Sequence, residues 1–233
     1  MELLAVPTIW GSGAEATAIA VEDRDGEKTI HVADAYLPDA RGMLPDLAQC
    51  VSTERKRYAS GDVWAHALEG FLSPLASEGL RSDLAAVVRR LLDLPPDAHR
   101  EWFEISALSA AGQAQSSAGL IHGLAHTLEA ELRSGQPEEG WGHARLCATL
   151  LEPVMRFNLQ ASGRSSELLA QYDLPEDQIL DRLGGYFDAR DYAACRAAIE
   201  RVRMRILRDP STRTNVARVG RDALDFFLAD VCA

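Results

Sequence analysis

The sequence has little lysine, few aromatic residues and no long apolar run. Lysine occurs only at positions 28 and 56, aromatic residues make up 6 % of the 233 residues, and the formal net charge is −11. A surface this acidic argues against general affinity for nucleic acid or anionic lipid. No apolar stretch approaches the roughly 18 residues that a membrane span needs, and the N-terminal stretch lacks the basic flank of a signal peptide. We therefore expect a cytoplasmic protein.

Cysteine is scarce as well. The four cysteines, Cys50, Cys147, Cys195 and Cys232, are scattered, and no pair has the spacing of a zinc knuckle or a redox motif. The simplest interpretation is a set of reduced thiols.

Apolar residues make up 47 % of the chain, which is typical of a globular protein. The run "ELLAV" stops at Pro7 and suggests a short buried strand. The runs "ATAIAVED" and "EKTIHVAD" are separated by the turn signal "RDG" and predict a β-hairpin. From about Ser52 onward the apolar spacing is helical. The sequence therefore predicts a mostly α protein, a helical bundle preceded by a short strand and hairpin segment.

Serine and aspartate N-cap signals and the breaks at Pro95, Pro96 and Pro137 divide the helical part. The predicted helices cover 53–73, 77–93, 97–133 with one or two breaks, 139–160, 164–171, 175–184, 188–207 and 212–231.

Histidines occur at helical spacing in apolar surroundings. His122 and His126 are four residues apart and share one helix face, as do Asp62 and His66. His143 follows a glycine-rich loop where another helix should begin. One carboxylate and several imidazoles suit a divalent transition metal. The alternative is a set of hydrogen-bonded core histidines, and the residues alone leave both interpretations open.

Four segments resemble the iron-containing, or group III, alcohol dehydrogenase family, which shares a superfamily with dehydroquinate synthase. They are "AVPTIWGSGAEAT", "DVWAHALEGFLSP", "GLIHGLAHTLE" and "GHARLCATLLEPVMRFN", and they occur in the family's order between residue 4 and about residue 160. The resemblance implies a dehydroquinate synthase-like helical domain over 51–233. It also implies that residues 1–50 are a remnant of the family's nucleotide-binding domain, because no glycine-rich phosphate loop precedes them.

The resemblance also implies roles for individual residues. The metal, iron(II) or zinc, would be held by Asp62, His66, His122 and His143, and His126 would face the substrate and relay protons. The segment that approaches the dinucleotide would contribute Thr8, Gly11, Ser12 and Gly13. Glu69 is a candidate for orienting the ligands. Two departures stand out: Trp10 lies in the cofactor-facing segment, where it would either fill cofactor space or pack in the core, and the gap between His122 and His143 is longer than the family's.

The resulting functional prediction is a metal-dependent oxidoreductase that acts on a small alcohol or aldehyde, with NAD(P) use left open. Two alternatives remain: a metal enzyme with lyase, aldolase, isomerase or hydrolase chemistry that no longer binds nicotinamide, and a non-catalytic partner subunit. We expect a small-molecule substrate. We also expect a homo-oligomer, or a partner chain that covers the N-terminal strand, because an exposed strand edge calls for a cover.

Overall fold

The computed structural model describes residues 2–24, 27–135 and 140–229. The strands are β1 Leu4–Ala5, β2 Ile19–Arg24, β3 Glu27–Val32 and β4 Ala40–Arg41. The α-helices are α1 Thr53–Leu72, α2 Glu78–Asp93, α3 His99–Ala114, α4 Leu120–Gly135, α5 His143–Ala161, α6 Gly163–Gln171, α7 Glu176–Gly184, α8 Ala189–Ile206 and α9 Pro210–Arg213. Short 3-10 helices cover Ala14–Ala16, Asp34–Tyr36, Pro45–Cys50 and Asp222–Phe227. The prediction of a mostly helical fold is confirmed.

The N-terminal segment contains two separate pairs of strands. Strands β2 and β3 pair antiparallel in the predicted hairpin, and its turn residues 25 and 26 lie outside the described residues. Strand β1 pairs in parallel with β4, with Leu4 opposite Ala40. The expectation that β1 is buried is wrong, because Leu4 is 63 % exposed. The run "ELLAV" is apolar, but no described residue covers the outer face of this two-stranded sheet.

Helix α1 is the centre of the bundle. Every residue from Ala59 to Leu72 is buried, and the helix contacts α2, α3, α4 and α5. A helix enclosed on all sides needs small or apolar residues over its whole circumference. The stretch "ASGDVWAHALEGFL" meets this requirement except at a few polar positions, which are therefore forced into the interior.

Aromatic side chains join the N-terminal segment to the bundle. Trp10 is buried, stacks on Trp102 with ring centroids 5.7 Å apart and meets Phe103 edge-on at the same distance. Its indole nitrogen donates a 3.0 Å hydrogen bond to the Ser60 hydroxyl, so the polar end of the ring is satisfied. Of the two interpretations that the sequence leaves open for Trp10, the structure therefore favours core packing.

Of two predicted helices, one agrees with the structure and one does not. The long helix over 97–133 is broken into α3 and α4, as anticipated. The final helix over 212–231 is wrong: α9 ends at Arg213, and the later part contains only the 3-10 helix Asp222–Phe227 within the described residues. Leu224 and Phe227 are both buried. They are three residues apart, a spacing that fits a 3-10 helix as well as an α-helix.

None of the helices in the described ranges combines the length and the apolar character that a transmembrane span requires.

Helices α1 and α5 approach each other closely at Gly61. A Cβ atom at this position would lie 2.5 Å from the Ala148 Cβ and 2.7 Å from its Cα. Glycine at 61 therefore sets the distance between the two helices that carry Asp62 and His143.

We expect Gly61→Ala to lower the free energy of unfolding by about 1–3 kcal/mol, because the added methyl group forces α1 and α5 apart. Gly79→Ala is the matched control on α2: a Cβ there meets nothing within 4 Å, and alanine should stabilise the helix by about 0.5–1 kcal/mol. Urea unfolding monitored by circular dichroism measures both values. Equal effects of the two substitutions would contradict the close approach.

Candidate metal centre

The centre is built from one face of the central helix. Asp62, His66 and Glu69 are spaced i, i+4 and i+7 on α1, so their side chains lie along one stripe. All three residues are buried. A buried carboxylate without a partner is costly, so this stripe requires compensating groups on the helices that face it.

Helices α4 and α5 supply those groups. From α4, His122 places its Nε2 atom 3.9 Å from Asp62 Oδ1. From the first residue of α5, His143 places its Nε2 atom 3.8 Å from the same oxygen, and His66 Nδ1 lies 4.0 Å away. These separations are too long for hydrogen bonds. Asp62 and three imidazoles thus surround a single point without forming hydrogen bonds to one another there.

Several atoms at this point have no hydrogen-bond partner among the described residues. The buried atoms in question are Asp62 Oδ1, His66 Nδ1 and His122 Nε2. Buried polar atoms are nearly always satisfied in native proteins, and exceptions call for an explanation such as an ion. A divalent cation would satisfy the carboxylate oxygen and imidazole nitrogens together, so the residues present fit such an ion.

Glu69 fixes the orientation of His122. Its Oε2 atom lies 2.6 Å from His122 Nδ1, and its Oε1 atom accepts the backbone N–H of Ile121 at 2.5 Å. With Nδ1 engaged by the carboxylate, the Nε2 atom is directed toward Asp62. Such a carboxylate–histidine pair is the usual device for orienting a ligand imidazole. Orienting a ligand is the role that the sequence suggested for Glu69, and it stays a prediction.

Burial and neighbouring groups shift the pKa values of the residues in this cluster. Burial alone would raise the pKa of Asp62, but the neighbouring imidazoles of His66, His143 and His122 outweigh it and lower that pKa. Burial lowers the pKa of His66 to about 4 and the pKa of His143 well below its usual value. For His122, burial would lower the pKa, but the hydrogen bond to Glu69 outweighs it and raises that pKa. His66 and His143 are therefore neutral at pH 7 and keep a free lone pair.

Cys147 belongs to the same cluster and was not predicted from the sequence. Its buried Sγ atom lies 3.5 Å from His143 Nε2. Together with Asp62, His122 and His143 it offers ligand atoms that all lie within 4.8 Å of one another. Burial raises the pKa of the Cys147 thiol well above its usual value. The signal in the sequence was its position four residues after His143, which places both side chains on one face of α5.

His126 lies beside the cluster rather than within it. Its ring stacks on His143 with centroids 5.3 Å apart, and its Nδ1 atom lies 3.5 Å from Asp209 Oδ2. Asp209 is held in turn by the backbone N–H of Ser211, which donates to Oδ1 at 2.8 Å. His126 therefore connects the rim of the centre to a second, partly buried carboxylate.

The predicted dinucleotide segment is divided between the cleft and the core. Ser12 is exposed and lines the cleft, whereas Gly11 and Gly13 are buried against α3. The Gly11 N–H donates a 2.9 Å hydrogen bond to Ser106 Oγ, and a Cβ on Gly13 would lie 2.4 Å from the Ala110 Cβ. Thr8 is exposed and lies outside the cleft lining. The assignment of these residues to a cofactor stays a prediction.

The centre lies at the floor of a cleft of about 800 Å³. Its lining includes the hairpin, through Ile19, Val21 and Ile30, and residues at the end of α3 and the start of α9. Asp62, His66, His122, His126 and His143 all border this space. A mostly apolar cleft with a few convergent polar groups at its floor is the usual form of a small-molecule site.

The hairpin is tied to α4 by charged side chains. Lys28 on β3 forms an ion pair with Glu129, which is buried, and Glu129 also accepts a 2.7 Å bond from Arg133. Asp23 on β2 lies 3.6 Å from Arg133. These contacts set the position of the hairpin wall relative to the helices that carry the histidines.

Comparisons with known proteins agree with the resemblance seen in the motifs. The chain is 26 % identical over 200 residues to the bifunctional aldehyde-alcohol dehydrogenase AdhE of Escherichia coli. The matched region covers 78 % of this chain and 22 % of that protein. It is 30 % identical over 166 residues to the 1-propanol dehydrogenase PduQ of Salmonella typhimurium, covering 66 % and 43 % of the two chains. No model of a protein family matches the sequence.

Solved structures show the same fold. An iron-containing alcohol dehydrogenase from Thermococcus thioreducens superposes with a TM-score of 0.74 at 19 % identity, over 97 % of this chain and 64 % of that one. A sulfoacetaldehyde reductase from Bifidobacterium kashiwanohense gives 0.73 at 21 % identity, over 98 % and 64 %. The resemblance of this chain to the iron-containing alcohol dehydrogenase family, and its helical fold, are therefore confirmed.

The coverage of the relatives is partial. The chain spans less than half the length of the two curated relatives described above and about two thirds of each solved chain. The activities in the names of those proteins therefore belong to longer polypeptides.

We expect Glu69→Gln to weaken zinc binding by about 10- to 100-fold, because the amide cannot orient His122 as a carboxylate does. Glu167→Gln on the exposed face of α6 is the control and should leave the affinity unchanged. Competition with a chromophoric chelator gives both dissociation constants. Identical affinities for the two variants would show that Glu69 does not act on the centre.

Proposed function

We propose that this chain carries the metal-binding and substrate-binding part of an alcohol or aldehyde oxidoreductase. The observation that carries the proposal is the convergence of unpartnered atoms from α1 and α4, together with His143 Nε2 from α5, on one point that borders an apolar cleft. The sequence relatives are alcohol and aldehyde dehydrogenases and supply the reaction class.

The proposed ligands are Asp62, His66, His122 and His143. A bound divalent ion, iron(II) or zinc, supplies Lewis-acid polarisation of a substrate oxygen. The chain's own contribution is to keep His66 and His143 neutral through burial and to orient His122 through the Glu69 contact. It also provides the apolar cleft walls, which exclude water from the reacting atoms.

His126 is the proposed proton-handling residue. It borders the cleft next to His143, and its Nδ1 atom faces Asp209 at 3.5 Å. A histidine placed between a substrate oxygen and a carboxylate can accept a proton on one ring nitrogen while the other is held by the carboxylate. In the direction of aldehyde reduction, the same nitrogen returns the proton to the product oxygen.

For the hydride donor we propose NADH or NADPH, bound by a nucleotide-binding unit that packs on the β1–β4 pair. Parallel strands are normally covered on both faces. Leu4, Leu37 and Met43 beside this pair are exposed, with Leu4 at 63 %. The solved neighbours have a further third of chain, and the Bifidobacterium kashiwanohense enzyme was solved in complex with NAD+. The proposed partner is thus this unit, from the same polypeptide or another chain.

The test of the function is metal-dependent turnover. Full-length protein loaded with Fe2+ or Zn2+ should oxidise NADH or NADPH when a short-chain aldehyde is added, and chelation should abolish the reaction. Protein that binds one metal ion but neither nucleotide, with no turnover of aldehydes, would contradict the oxidoreductase assignment.

Two histidine substitutions separate binding from turnover. His122→Ala should reduce bound metal to below about a tenth, since losing a ligand costs more than the 10- to 100-fold of losing its orienting residue. His126→Ala should retain the metal and lower kcat by about 10²- to 10⁴-fold, the usual contribution of a general acid–base. His31→Ala on the exposed hairpin is the control. Elemental analysis and steady-state kinetics measure both, and equal metal loss in His122→Ala and His126→Ala would reverse these roles.

The covering of the strand pair has its own test. The double variant Leu4→Asp, Leu37→Asp should weaken NADH binding by at least about tenfold, equivalent to 1.4 kcal/mol of lost packing, and leave the bound metal unchanged. Fluorescence titration with NADH and elemental analysis give the two values. An unaltered NADH affinity would show that the dinucleotide-binding unit packs elsewhere.

A further inference from the structure

The centre contains a sulfur donor in addition to the proposed oxygen and nitrogen ligands. Cys147 follows His143 by one helical turn on α5, and its Sγ atom lies 3.5 Å from His143 Nε2. The ligand atoms of Asp62, His122, His143 and Cys147 all lie within 4.8 Å of one another. Four atoms this close can be brought onto one ion by small side-chain movements.

The distance between the two α5 atoms agrees with shared coordination. Zinc–nitrogen bonds are about 2.0–2.1 Å and zinc–sulfur bonds about 2.3 Å, so two such atoms on a tetrahedral ion are about 3.6 Å apart. The observed 3.5 Å is close to that value. The carboxylate of Asp62 belongs to the same group of closely spaced ligand atoms. Cys147 therefore faces the same point as the imidazoles.

The neighbouring atoms point to an ion and not to thiol packing alone. Asp62 Oδ1 and His122 Nε2 are buried, lack hydrogen-bond partners among the described residues and belong to the same cluster. Cys195 on α8 offers the comparison: it is as fully buried as Cys147 but lies outside this cluster.

We propose that Cys147 is itself a ligand in place of His66, so that a thiolate joins Asp62, His122 and His143 around the ion and the centre selects zinc over iron. This inference rests on the metal centre of the proposed function and specifies its ligand set. When the ion binds, the S–H bond of Cys147 breaks, a metal–sulfur bond forms and the proton leaves to the medium. Thiolate sulfur is a soft ligand that favours zinc, whereas an all-nitrogen-and-oxygen set suits iron equally well.

Cobalt(II) is the probe for this ligand, because a cobalt–thiolate bond gives a charge-transfer band in the near ultraviolet that nitrogen and oxygen ligands do not give. Titration of the metal-free full chain with Co2+ should produce this band and saturate at one ion per chain. Cys147→Ser should lose the band, and Cys195→Ser, the matched control, should keep it. Cys147→Ser should also bind zinc at least about tenfold more weakly in chelator competition.

X-ray absorption of the zinc-loaded wild-type protein provides a measurement that needs no variant, which matters if Cys147→Ser does not fold. A sulfur neighbour at about 2.3 Å is expected. Binding of one ion with a shell of nitrogen and oxygen only, or a cobalt band that survives in Cys147→Ser, would overturn the thiolate ligand and leave the metal centre intact. Failure to bind any ion would overturn the metal centre itself, and with it the proposed function.

Discussion

The fold depends on how the interior accommodates the buried carboxylate of Asp62. This residue lies on the central helix of the bundle and is 2 % exposed. An isolated buried carboxylate is among the most costly groups a protein can contain. Here His66, His122 and His143 surround it without forming short hydrogen bonds. The packing of α4 and α5 against α1 places His122 and His143 where they face this oxygen. The small residue Gly61 allows the close approach of α5.

The cluster is organised by pairs of residues with different tasks. Glu69 holds His122 through Nδ1, and Asp209 lies against His126, so two carboxylates outside the cluster set the directions of two imidazoles. In contrast, the Oδ1 atom of Asp62 has no hydrogen-bond partner in the described part of the chain. An arrangement that orients its histidines but leaves its central oxygen unpaired is suited to receive a cation rather than to stabilise itself.

The helical core and the histidine positions follow from local patterns in the sequence. Spacing of four residues placed Asp62 with His66 and His122 with His126, and the turn signal "RDG" located the hairpin. The contact of Glu69 with His122 spans 53 residues of sequence, and the approach of Cys147 to Asp62 is equally tertiary. No local pattern reports that two helices meet at these points, so Cys147 could only be found in the folded chain.

The two wrong predictions, the buried strand and the C-terminal helix, also arise because local sequence patterns do not report tertiary contacts. The run "ELLAV" has the composition of a buried strand, but burial depends on a covering layer that the residues of the strand do not encode. The predicted C-terminal helix rested on apolar residues at helical spacing. Leu224 and Phe227 do enter the core, yet they do so from a 3-10 helix after an irregular segment. Amphipathic spacing thus identified which side chains are buried but not the backbone that carries them.

The three helices that meet at Asp62 are far apart along the chain, and this has a consequence for unfolding. An ion held by residues of α1, α4 and α5 would act as a reversible cross-link, closing a loop of about sixty residues and a second one of about twenty, much as a disulfide restricts the denatured chain. Separating the helices would require breaking several coordinate bonds at once. The loaded protein would then resist heat and proteases through slow opening, even if its equilibrium packing were unchanged.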